Sequence, residues 1–150
     1  MPPDILVAVE AAPANRAVLA VLREQAVPRP PDDVWALDGF ELHSHPDLRE
    51  RLDHVGAGQP GGRSVGLYGV PVLIAADVVY AIAGGTSRVY LRIPAGTTRD
   101  EVMLHGGDAD VAFGPEWVGA DAWLSDLPSA EGTRLLASWV ATAARAANHA

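Results

Sequence analysis

Apolar and polar positions alternate with a period of two through the middle of the chain. From Ser87 to Ile93, Val89, Leu91 and Ile93 point one way and Arg88, Tyr90 and Arg92 the other, which predicts a strand with one buried face. Arg63 to Tyr68 and Val70 to Ala75 read as two more strands, disturbed at Gly69 and Pro71. Val78 to Ala83 is apolar on both faces and reads as a central strand. Ala76-Asp77 makes a turn, and Gly84-Gly85 is a two-residue hairpin signal because both glycines accept positive φ. Asp110 to Phe113 and Trp117 to Leu124 are the remaining strands. The second of these carries Trp117, Gly119, Asp121 and Trp123 on one face and Val118, Ala120, Ala122 and Leu124 on the other.

The flanks carry helical spacing instead. Residues 4 to 26 read as helical, broken at Pro13, with Asn15 as cap and Val18, Leu22 and Ala26 on one stripe beside Leu19. Pro28, Pro30 and Pro31 stop the helix. The segment 34–42 holds Trp35, Phe40 and Leu42 around an Asp38-Gly39 turn and reads as irregular chain packed on the core. Ser44, three residues before Asp47 and two before Pro46, reads as the cap of a helix carrying Leu48, Leu52 and Val55. Thr97 or Thr98 opens the next helix, and Asp126 or Ser129 opens the last, whose apolar stripe is Leu135, Leu136, Trp139, Val140 and Ala143. The order is α-α-β-β-β-(β)-α-β-β-α. Tight turns between strands make the sheet antiparallel, so the expected class is α+β, with about five strands flanked by helices. The expected organisation is one domain, with residues 1–33 as a helical extension and 34–150 as the sheet-helix core.

Charge narrows the function classes. The formal net charge is -8, which argues against direct binding of nucleic acid or an anionic membrane surface. All 11 basic residues are Arg, a composition bias rather than a site. No Cys is present, so disulfides and thiol chemistry are out. No apolar run reaches the roughly 18 residues of a membrane helix, and a cytoplasmic protein is expected.

Candidate chemistry is sparse. His43 and His45 can converge on one metal ion from an extended backbone, with His54, His105 or Asp108 as further ligands; a helix-start role for the pair is the competing reading. Gly84 to Arg88 has the composition of an anion-binding loop but is followed by a strand, which favours a hairpin turn. Arg88, Tyr90 and Arg92 form a cationic-aromatic row that either meets a partner or lies under the N-terminal helices, paired to local carboxylates. One of Trp117 or Trp123 is expected at the surface, and Trp117 is placed with the row. No nucleophile motif, acid/base couple or cofactor motif stands out, so no catalytic residue and no cofactor is expected.

The run Val65-Gly66-Leu67-Tyr68-Gly69, the strands after it, and Arg88-Val89-Tyr90-Leu91-Arg92 resemble the N-terminal domain of TfoX-type competence regulators and YjbR-like proteins. Trp117-Val118, Leu127-Pro128 and the last helix add to the resemblance, which covers about residues 45 to 147. It implies a helix-flanked antiparallel sheet like that of secretion chaperones, often dimeric, without established catalytic residues. The expected function is therefore a non-enzymatic, protein-interaction or regulatory domain. It would bind a protein partner or its own copy as a homodimer through Arg88, Tyr90, Arg92 and Trp117. The alternative is a metal- or small-ligand-binding protein using His43 and His45.

Overall fold

Five strands follow one another across the sheet in chain order, every neighbouring pair antiparallel. They are β1 (Gly62–Leu67), β2 (Val70–Ala75), β3 (Val78–Gly84), β4 (Arg88–Arg92) and β5 (Trp117–Asp121). The structure, a computed structural model, describes residues 3–25, 44–56, 58–109 and 111–150. Ala26, the proline-rich stop, Trp35, Phe40, Leu42, His43 and Asp110 lie outside the described residues. The class is α+β, as the alternation and turn spacing predict.

Helices cover both faces. Helices α1 (Pro3–Ala11) and α2 (Arg16–Gln25), joined by a 3-10 turn at Pro13–Asn15, bury Val9, Val18, Leu19 and Leu22 against Leu67, Val70, Val72, Ile74 and Ile82. On the other face, α3 (Pro46–Gly56) contributes Leu48, Leu52 and Val55, and α4 (Thr97–Leu104) contributes Val102. The long α5 (Ser129–Asn148) adds Leu136, Trp139, Val140 and Ala143 to the same cluster, with Val89, Leu91, Val118 and Ala120 beneath them. The small Ala143, Ala144 and Ala147 let that helix lie close to the strands. No single helix among the described residues is long and apolar enough to cross a membrane.

Several local details differ from the sequence pattern. Residues 111–113 form turns rather than a strand, and only an isolated bridge of Asp108 to Gly119 lies alongside β5 there. The β3–β4 connection is Gly85-Thr86-Ser87, since Gly84 already pairs with Arg88. Only Gly85 takes the positive φ, at 66°. Helices α4 and α5 begin after Gly96 and Pro128, with no side-chain cap.

Strand β3 carries one residue too many for its neighbour. Ile74 pairs with Val79 and Leu73 with Ala81, leaving Tyr80 as the bulged residue. The bulge resets the alternation, so Tyr80 and Ala81 both join the α5 side while Val79 and Ile82 face α1 and α2. The Tyr80 ring is fully buried, and its hydroxyl has no hydrogen-bond partner among the described residues. Burial pushes the phenol up to about 12. Because the folded value lies above the unfolded one near 10, this contribution is complete below about pH 10 and is lost as pH rises through the folded value. Tyr80→Phe is expected to gain about 1 kcal/mol and to flatten the loss of stability in alkali, read from urea unfolding at neutral and alkaline pH. A destabilised Phe variant would mean that the hydroxyl is bonded in solution.

Candidate functional site

The β3–β4 connection is gripped from two sides. His45 donates its backbone N–H to Gly85 O at 2.8 Å, and Ser44 Oγ donates to Ala83 O. From the other side, Ala122 N donates to Ser87 O at 2.7 Å and the Trp123 indole Nε1 to Thr86 O at 2.9 Å. The N-terminus of α3 and the end of β5 therefore meet on one hairpin.

Trp123 comes to the surface because β5 stops at Asp121. The Asp121 carboxylate accepts the Trp123 backbone N–H at 3.0 Å, a side-chain turn that ends the strand. Leu124 then takes a left-handed backbone, φ 46°, and drops under α5 beside Gly132. Such a conformation is strained for a branched aliphatic residue. Trp123 remains 37% exposed.

Arg51 backs the ring. Its guanidinium lies 5.0 Å from the ring centroid, while Nε donates to Ala122 O at 2.6 Å and Nη1 to Thr133 Oγ1 at 3.1 Å. Burial pushes the Arg51 pKa down, and the charge of Asp121 opposes that shift. Asp47, Glu50, Arg51, His54 and Trp123 line an open cavity of about 360 Å³. A second depression of about 250 Å³ is lined by Leu104, Asp121, Leu124 and Leu127. Leu104 is 85% exposed there.

The sequence-predicted row sits elsewhere. Arg92 is buried, donating Nε to Val79 O at 3.0 Å and Nη2 to Ala14 O at 2.9 Å, with its guanidinium 4.9 Å from the Trp117 centroid. Trp117 is itself buried in the α1–α2 cluster. Tyr90 packs edge-on against Phe113, centroids 5.2 Å apart. Arg88 lies across Gly119, where a Cβ would come within 2.8 Å of Nη2, and reaches Asp108 at 3.9 Å. Placing Arg92 and Trp117 on a partner-facing surface is thus corrected: the N-terminal layer covers that part of the face.

The histidines divide. His43 lies outside the described residues. His45, not Ser44, caps α3: its Nδ1 accepts the Asp47 N–H at 3.1 Å. Among the described residues no group of three His, Asp or Glu side chains is placed to hold a metal ion. Sequence reasoning missed Arg51 and Glu50, and placed His54 with a metal and Asp47 with a helix start rather than beside Trp123; the signal for Trp123 was the Asp two residues before it, an ending mark for the strand. Comparison with models of known families, with curated proteins and with solved structures finds no match.

Proposed function

We propose that this is a cytoplasmic, non-enzymatic domain that binds a protein partner through the surface centred on Trp123. One observation carries the reading: an exposed indole is held in place by Thr86 and Arg51, with its backbone fixed by Asp121, before anything binds to it. A ring ordered in advance loses little entropy on association, and tryptophan is enriched among residues that dominate interfaces. The strained Leu124 beside it supports the same reading, because backbone strain of this kind gathers at functional positions. The carboxylates of Asp47 and Glu50 on the cavity rim fit a partner segment carrying a basic side chain. The resemblance to TfoX-type and YjbR-like proteins belongs with this reading, since that group too is without established catalytic residues.

The test is a pair of titrations followed by amide and indole NMR, one with an Arg-rich decapeptide and one with a Glu-rich decapeptide. The Trp123 indole resonance, assigned with Trp123→Phe, is expected to move with the Arg-rich peptide alone, together with the amides of Glu50 and His54. Trp123→Ala is expected to weaken that binding by about tenfold or more while leaving the amide spectrum of the sheet in place. Resonances that stay still with the Arg-rich peptide, or move equally with both, overturn the proposal.

A further inference from the structure

The two edges of the sheet are treated differently. The outer side of β5 is closed by the protein itself: Asp108 N donates to Gly119 O at 2.8 Å, and Gly119 N donates back to Asp108 O at 2.7 Å. Among the described residues no strand pairs with the outer side of β1. Proteins usually blunt such an edge with lysine, proline or a bulge. Strand β1 has no lysine, no proline and no register shift against β2.

Its turn fixes which groups face outward. Tyr68 and Gly69, φ 52° and 81°, form the two-residue turn, and Leu67 pairs with Val70 across it. Leu67 and Val70 are then the hydrogen-bonded pair that closes the hairpin, and alternation makes Val65 and Arg63 the next residues bonded inward. Gly62, Ser64 and Gly66 turn their N–H and C=O groups away from β2, but the Gly62 N–H is already taken by Gln59 O at 2.9 Å. A strand added from outside must therefore pair with Ser64 and Gly66.

We propose that two copies of this chain pair antiparallel through the β1 edge, with Ser64 opposite Gly66 of the second copy and Val65 opposite Val65. Charge selects this register. On the α3 face, Ser64 Oγ donates to Asp53, and Arg49 Nη2 lies 3.9 Å from where a Cβ on Gly66 would stand. Opposed residues share a face, so this register brings Arg49 of each copy beside Asp53 of the other, twice over. The two neighbouring registers compatible with the outward groups do the reverse. Pairing Ser64 with Ser64 brings Asp53 to Asp53, and pairing Gly66 with Gly66 brings Arg49 to Arg49. On the opposite face, half-buried Val65 meets its own copy. The contact is short, so the dimer is reversible and dependent on concentration.

Sedimentation velocity of the full chain over a concentration series tests this. The wild type is expected to dimerise as concentration rises. Arg49→Glu and Asp53→Arg are each expected to weaken the dimer by about tenfold or more, since each turns two attractive contacts into two repulsive ones. Both positions are exposed, and circular dichroism checks that the variants remain folded. An equimolar mixture of the two variants is expected to dimerise again. In the mixed pair the introduced glutamate of one copy meets the introduced arginine of the other, and the native Asp53 and Arg49 that remain meet each other. A wild type that stays monomeric, or a dimer indifferent to both changes, overturns the proposal. A dimer abolished by Trp123→Ala and not by these changes also overturns it, and assigns self-association to the Trp123 surface instead.

Discussion

Asn15→Ala is expected to cost about 3 kcal/mol in urea unfolding, a large share of the stability of a domain this size. Asn15 is fully buried. Its Nδ2 donates to Val9 O at 2.8 Å and to Asp77 O at 2.7 Å, and its Oδ1 accepts the Val79 N–H at 2.9 Å. One side chain thus ties the end of α1, the β2–β3 turn and the bulged part of β3 together. Alanine leaves the Val79 N–H without a partner away from water, leaves Val9 O with only the long bond from the Ala12 N–H, and cuts the tie to the Asp77 carbonyl. Asn15→Asp keeps the shape but replaces the donor amide with an acceptor facing two carbonyls. It is expected to be at least as damaging at neutral pH, although it creates no cavity. If Asp were tolerated and Ala were not, volume rather than hydrogen bonding would be what Asn15 supplies.

Arg92→Met is expected to cost about 2–3 kcal/mol and to loosen the N-terminal layer. Strand β3 runs on past its last pairing with β4, so Val79 has no β4 partner. The Val79 carbonyl is satisfied by Arg92 Nε, just as its N–H is satisfied by Asn15. Arg92 also bonds Ala14 O, so the guanidinium bridges sheet and helix layer. Methionine keeps most of the volume and leaves both carbonyls unpaired. Lysine, with a single ammonium, cannot reproduce the forked geometry and is expected to fall between the two. Burial already pushes the Arg92 pKa down, with Glu116 opposing. Glu116 itself is mostly exposed, so Glu116→Gln is expected to change stability by less than about 0.5 kcal/mol. The readout is hydrogen exchange of residues 3–25, which should accelerate in Arg92→Met and stay unchanged in Glu116→Gln. Equal effects from both would place the stabilisation in the ion pair instead.

These two residues mark where sequence pattern stops being informative. Alternation locates β4 and β5 and assigns their inward residues correctly, because side-chain direction in a regular strand depends only on position. Val118, Ala120, Ala122 and Leu124 all lie on the α5 side, as their spacing predicts. Strand β3 is less legible, since the bulge at Tyr80 shifts every later residue by one and leaves no mark in a run that is apolar throughout. Arg92 alternates like a surface residue yet lies inside, because its cover comes from a segment almost 80 positions earlier in the chain, around Ala14. Asn15 stands where a helix cap belongs, and only the tertiary fold shows that its amide faces the sheet. At the candidate site the same limit holds: Trp123 and Trp117 share a face only while the strand continues, and it ends between them.

The order of the sheet also bears on how the chain acquires its structure. Each strand pairs with the one just before it, so every pairing closes a short loop except the last, and the sheet can grow by adding hairpins as the chain lengthens. Its cover arrives out of step. Helices α1 and α2 precede the strands and α3 brings a first part of the opposite cover, whereas α5, which supplies most of the cover on that face, follows all of them. During synthesis the strands are therefore shielded on one side early, while Val89, Leu91 and Val118 wait for Leu136, Trp139 and Val140 to emerge. A ribosome stalled before residue 129 would hold the sheet with one apolar face covered only in part, by α3 and α4, the form of this protein most in need of a chaperone.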